Sequence, residues 1–165
     1  MRYLQQLAAL VLVFVLLFFP LSAQAASSSS IGRAAGDSEL TGKDFSGQAL
    51  QGVEFSNAKL ENTNFSNADL RGAVFSGSVM KEASLHGADF TDGIAYIVDF
   101  RGADLSDAIF LEAILLRSRF EDADITGADF SYAVLDGVQV KKLCERATGI
   151  NSKTGVATRE SLGCR

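Results

Sequence analysis

Two cysteines, one histidine and a recurring set of aspartates are the residues of this chain with the means to do chemistry. Cys144 and Cys164 are its only cysteines. They lack the C-x-x-C spacing of a redox motif, so in an exported chain they read as a structural disulfide. A redox-active pair is the alternative. His86, the single histidine, stands in a row of hydroxyl residues, and no neighbour is spaced to make it a general base. Aspartates recur at multiples of twenty: Asp44, Asp104 and Asp124 in one set, Asp69, Asp89 and Asp129 in another. Stacked carboxylates can hold calcium, yet no dedicated calcium loop accompanies these. "NFS" at Asn64 fits the glycosylation pattern, but Phe65 belongs to a repeat that generates the match by itself. The expectation is therefore no catalytic residue, no metal site and no cofactor.

What positions these residues is a period of five. Counting in fives from Leu40 to Val140 gives twenty-one positions, of which eight are Leu, nine are Phe, and Met80, Ile125 and Val140 complete twenty large apolar residues. Only Ala95 breaks the rule. Five fits neither the period of a helix nor the alternation of a strand. Two residues before each large residue, sixteen of the twenty-one positions hold Ala, Ser, Gly or Thr. In extended chain, residues two apart face the same way, so a large and a small residue point inward together if the chain turns a corner after each pentad. Gly42, Gly47, Gly52, Asn57, Asn62 and Asn67, each two past a large residue, supply turn chemistry. Four corners close a coil of twenty residues, stacked on the next at ~4.8 Å. The fold expected is an all-β solenoid.

The ends are different in kind. Arg2, an apolar run from Leu7 to Phe19, Pro20 and Ala23-Gln24-Ala25 make a Sec-type signal peptide cleaved after Ala25. The run is short of the ~20 residues that span a bilayer, and an uncleaved anchor is the alternative. Cleavage removes Arg2 and leaves 14 Lys+Arg against 20 Asp+Glu, a net charge of -6. That acidity is opposite to a nucleic-acid footprint. After the repeat, "KKLCERATG" reads as a short helix stopped by Gly149, and a second helical turn opens at Thr158 as N-cap and stops at Gly163.

"NADLRGAVF", "GADFTD", "RGADLSD" and "GADFSYA" resemble the A-[DN]-[LF]-x-x pattern of the pentapeptide-repeat family. The resemblance implies a right-handed quadrilateral β-helix, here of about five coils with a short helical C-terminal cap. "LCERATGINSKTGVATRESLGC" is similar to the capping segment of the thylakoid-lumen pentapeptide-repeat proteins of cyanobacteria and chloroplasts. The division expected is 1–25 signal peptide, 26–37 flexible leader and N-terminal cap, 38–142 repeat, and 143–165 cap with disulfide. Lys43 and Gln48 break the small-residue rule and predict a frayed first coil, and Ala95 within "TDGIAYIVDF" predicts a bulge.

Sorting outward residues by twenties gives each face a character. Two faces are acidic. A third carries Glu61, Lys81, Arg101, Glu121 and Lys141 in a ladder of mostly alternating sign. The last is apolar, with Val74, Ile94, Ile114 and Val134 in column, Tyr96, Ile97 and Leu116 beside them, and Ile109 and Leu111 on the adjoining face. A contiguous exposed apolar patch marks an interface unless the tail or a bulge covers it. The function expected is a non-enzymatic interaction scaffold or accessory factor of the thylakoid lumen or periplasm. Its partner would be an unknown protein or a second copy, with no nucleic acid and no stable membrane anchor after cleavage. Two alternatives stand beside it: a redox-controlled accessory protein using Cys144 and Cys164, and, from the resemblance, a DNA-mimicking topoisomerase inhibitor, which the export signal opposes.

Overall fold

The computed structural model describes residues 40–165. The signal peptide and leader expected over 1–37 lie outside the described residues.

From Leu40 to Leu135 the chain is one coil repeated. Each residue before a large apolar one forms a parallel bridge to the residue twenty further on, as in the column Asp44, Asn64, Ser84, Asp104, Asp124. Phe65 N donates to Ser84 O (2.7 Å) on one neighbouring coil, and Asp69 N donates to Gln48 O (2.9 Å) on the other. Between bridges the chain turns a corner that closes with Ala68 N donating to Phe65 O (3.0 Å). The third residue of every such turn, from Gly42 through Tyr132, has a positive φ. Eight of these corner residues are glycines and eleven are not. The four faces are named by their inward residues: first, Phe45 to Ile125; second, Leu50 to Phe130; third, Phe55 to Leu135; fourth, Leu40 to Phe120.

The large residues fill the axis. Phe55, Phe65, Phe75, Phe90, Phe100, Phe110, Phe120 and Phe130 are fully buried, and Ala58, Ala68, Ala73, Ala83 and Ala88 pack beside them. Rings twenty apart stack: Phe55 on Phe75 at 5.0 Å and 12°, Phe110 on Phe130 at 5.1 Å and 8°. Columns meet edge to face, as Phe65 and Phe75 do at 83°. Small polar residues inside are satisfied between coils. Ser118 Oγ accepts from Val98 N (2.9 Å) and donates to Ala95 O (2.6 Å), and Ser78 does the same for Ala58 N and Phe55 O.

Two expected irregularities are absent. The first coil is regular, with bridges at Asp44 and Ala49. Lys43 and Gln48 are exposed there and leave the bridges in step. No bulge interrupts Ala95 either, since Val74, Ile94 and Ile114 bridge in step. The missing bulk is supplied from the next column. The Phe90 ring lies where a Cβ on Gly93 would be, 2.4 Å from it, and meets Phe110 at 68° instead of stacking. Only glycine fits at 93 beside that displaced ring.

The repeat stops at Leu135, earlier than the boundary at 142. Helix α1 spans Gly137–Cys144, and α2 spans Thr158–Ser161 with Ala157, not Thr158, as its N-cap. Val140 thus sits in a helix, not at an inward position of the coil. Buried Leu143, Ala147 and Leu162 join the axial core and close its end. Cys144 and Cys164 are paired against that core with Cα atoms 5.6 Å apart. Gly149 does not end α1. Its φ is +83°, and a Cβ there would come within 2.6 Å of Gly127 N, so glycine lets the tail lie directly on the Gly127 corner.

Candidate interaction surface

The acidic columns serve the corners. Asp104 Oδ1 accepts from Ser106 N (3.0 Å) and Oγ (2.5 Å), Asp124 Oδ1 from Thr126 N (2.9 Å), and Asp89 Oδ1 from Thr91 N (3.1 Å). An Asp or Asn before the inward residue thereby satisfies the backbone N–H after it, on the approach to each turn. The same donation from Ser46 holds the Asp44 carboxyl below its ordinary range, and that from Thr126 does so for Asp124. His86 joins the hydroxyl row through Ser106 Oγ, 2.8 Å from Nδ1. Among the described residues, no group of three or more His, Cys, Asp or Glu side chains is placed to hold a metal.

The fourth face is charged and pairs its charges internally, in a pattern other than the ladder read from the sequence. Arg101 grips Asp99 (2.7 and 2.8 Å), with Lys81 at 3.8 Å and Arg119 at 3.9 Å from the same carboxylate. The bonds from Arg101 hold the Asp99 carboxyl below its ordinary range. Glu121 pairs with Arg119 (3.7 Å) and Lys142 (3.6 Å). Lys142 takes the place expected of Lys141 because α1 has replaced the coil. On the second face Arg71 binds Asp69 through two nitrogens (2.8 and 2.6 Å), which lowers the Asp69 pKa to about 2.

The tail covers part of the apolar set. Asn151 Nδ2 donates to the carbonyls of Asp107 (3.0 Å) and Gly127 (2.9 Å), Ser152 N to Asp107 Oδ1 (3.0 Å), and Lys153 Nζ to Gly87 O. The tail therefore runs back along the corner between first and second faces. Beside it Ile109 is only 8% exposed, and Leu111 is partly buried in a groove it shares with Val156 and Leu162.

The third face stays open. Ile94, Ile114, Val134, Tyr96 and Ile97 are exposed, with Val74 and Leu116 partly so. Sequence reasoning grouped these residues, Ile97 among them, but missed that two corner rows frame them. One rim is the corner row Asp92, Glu112, Tyr132; the other is Ile97, Arg117. Asn and Asp tolerate the left-handed conformation; other side chains are strained in it, β-branched ones most. Outside glycine, Asn and Asp, five corners carry such residues: Glu82, Ile97, Glu112, Arg117 and Tyr132. Four of the five frame the third face. The signal was legible as fifth positions lacking turn residues. The Arg117 guanidinium lies over the Tyr96 ring at 5.7 Å, and Arg117 N donates to Asp136 (2.6 Å).

Comparison with known proteins agrees with this architecture. The family described as Pentapeptide repeats matches residues 36–67, 60–93 and 99–137 in eight copies. A crystal structure of a pentapeptide repeat protein from the Arabidopsis thaliana thylakoid lumen is 36% identical, with a TM-score of 0.52, over 77% of this chain and 88% of that one. The chloroplastic thylakoid lumenal protein TL20.3 of the same plant is 62% identical over 42 residues, which are 26% of this chain and 15% of the relative's length. HetL, from the cyanobacterium Nostoc, matches at 19% identity over 59% of this chain and 51% of its own, with a TM-score of 0.30. Solved proteins of this kind form right-handed quadrilateral β-helices.

Proposed function

The chain belongs to the pentapeptide-repeat family, and from that premise we propose a non-enzymatic interaction protein of the thylakoid lumen that docks a protein on its third face. Proteins of this family are generally structural or interaction proteins. Two relatives named for the lumen support that address. The same reading has about five coils under a helical cap, held by a Cys144–Cys164 disulfide that an oxidising compartment would maintain.

The observation that carries the reading is the strained apolar rim. Ile97 is 50% exposed with φ 59°. A β-branched residue in that conformation costs ~1–2 kcal/mol, and at half exposure burial offsets only part of it. Folding alone would favour Gly or Asn at 97, as at most other corners. Strain kept at an exposed apolar site is explained by what the site binds. The experiment is crosslinking in lumenal extract with the native chain and with Ile114→Glu. Native adducts lost in a variant that remains folded are expected. Identical adducts from both would end the proposal.

A further inference from the structure

We infer that the protein docked on the third face is a second copy of this chain, the two solenoids lying parallel and face to face about a two-fold axis along the solenoid direction. This rests on the third face being a docking surface and adds the occupant and its orientation. The argument is the unlike charge of the two rims. Glu112 and Arg117 are successive corners of one coil on opposite rims of the face, both exposed. One pentad advances a quarter of a coil, so they differ in height by only ~1.2 Å.

A two-fold axis along the solenoid carries each rim onto the opposite rim of the second copy at equal height. Glu112 then meets Arg117 of the second copy, and the pair occurs twice. Ile94, Ile114 and Val134 each meet their own counterpart, level with level. An axis across the solenoid would instead turn each rim onto itself upside down. That sets Asp92 against Glu112 of the second copy, twice, with no cation opposite either. Charge complementarity therefore selects the parallel arrangement. The Arg117 guanidinium is already held on the rim over the Tyr96 ring. Glu54, exposed one coil below Val74 in the same column, ends the apolar strip. A strip four coils high and one face wide buries roughly 1,000 Å² over both copies, the low end for specific interfaces, so the dimer is a weak one.

The test is sedimentation of the processed chain, isolated from an exporting host, over roughly 0.1–100 μM, a span that reaches weak dimers. A monomer–dimer equilibrium is expected for the native chain, and monomer throughout for Ile114→Glu. Glu112→Arg and Arg117→Glu should each dimerise about tenfold more weakly, because each sets like charges together twice. An equimolar mixture of those two variants should recover native affinity, since every introduced charge then faces its opposite. Melting temperatures keep folding separate from association. A native chain monomeric at the highest concentration overturns the second copy as occupant and leaves the docking face to the extract crosslinking. A dimer insensitive to Ile114→Glu, or not recovered by mixing, overturns the geometry.

Discussion

The third and fourth faces are built on the same backbone, with the same corners and the same bridges, and they carry opposite surfaces. On the fourth, the bridging column contains Val79, Asp99 and Arg119, and Asp99 gathers Lys81, Arg101 and Arg119 within 4.0 Å. On the third, the equivalent column runs Glu54, Val74, Ile94, Ile114, Val134, and its four apolar members offer no charge to pair. The fourth face pairs its charges with one another. The third leaves its apolar surface and two unlike rims uncompleted. The repeat dictates what points inward and leaves the outward columns free, so use is written in the columns and not in the period.

The contrast between inside and outside can be broken most severely at one level of the solenoid. Phe110→Ala empties a fully buried ring position and should cost about 3–5 kcal/mol in denaturant unfolding, whereas Ile114→Ser, four residues on and partly exposed, should cost only about 1 kcal/mol. Equal losses would mean the third face is part of the core. A smaller effect has the opposite sign. Ile97→Asn relieves a β-branched residue at positive φ and should stabilise by ~1 kcal/mol, raising the calorimetric melting temperature by a few degrees. No gain would remove strain as the mark of this rim.

The least effect concerns the internally paired charge that the third face lacks. The folded Asp69 pKa, at about 2, lies below the unfolded value near 3.9, so the contribution of the Asp69–Arg71 pair is complete above pH ~4 and lost as pH falls toward 2. Screening at this partly exposed site limits it to a few tenths of a kcal/mol up to about 1. Native stability should decline over that window more steeply than that of Asp69→Asn.

The period, the inward residues and the twenty-residue coil were readable because each repeat states the same constraint again, from Leu40 to Leu135. Ala95 misled because its compensation is not local: Phe90 tilts from another face into the space of Gly93. The end of the repeat misled because Val140 keeps the five-residue count while the backbone after Asp136 is already helical. On the surface, the apolar column was legible from spacing by twenties. The part of it that the tail hides was not, since the path of the tail is set by contacts such as Asn151 to Asp107, forty-four residues apart.

That path bears on how the molecule comes apart. A solenoid whose coils touch only their neighbours can lose them one at a time from either end, each step small. Here Lys153 reaches Gly87, Asn151 reaches Asp107 and Gly127, and Thr148 O receives Gly127 N, so the tail spans the last three turns of one corner. Unzipping from the C-terminal end must first peel this clasp away, and with it Leu143 from the mouth of the core. The coils of the described chain are thus unequal in cooperativity: the three beneath the tail open together or not at all. Amide exchange along the first–second corner would show one shared protection for Gly87, Asp107 and Gly127 where a plain stack would show a gradient.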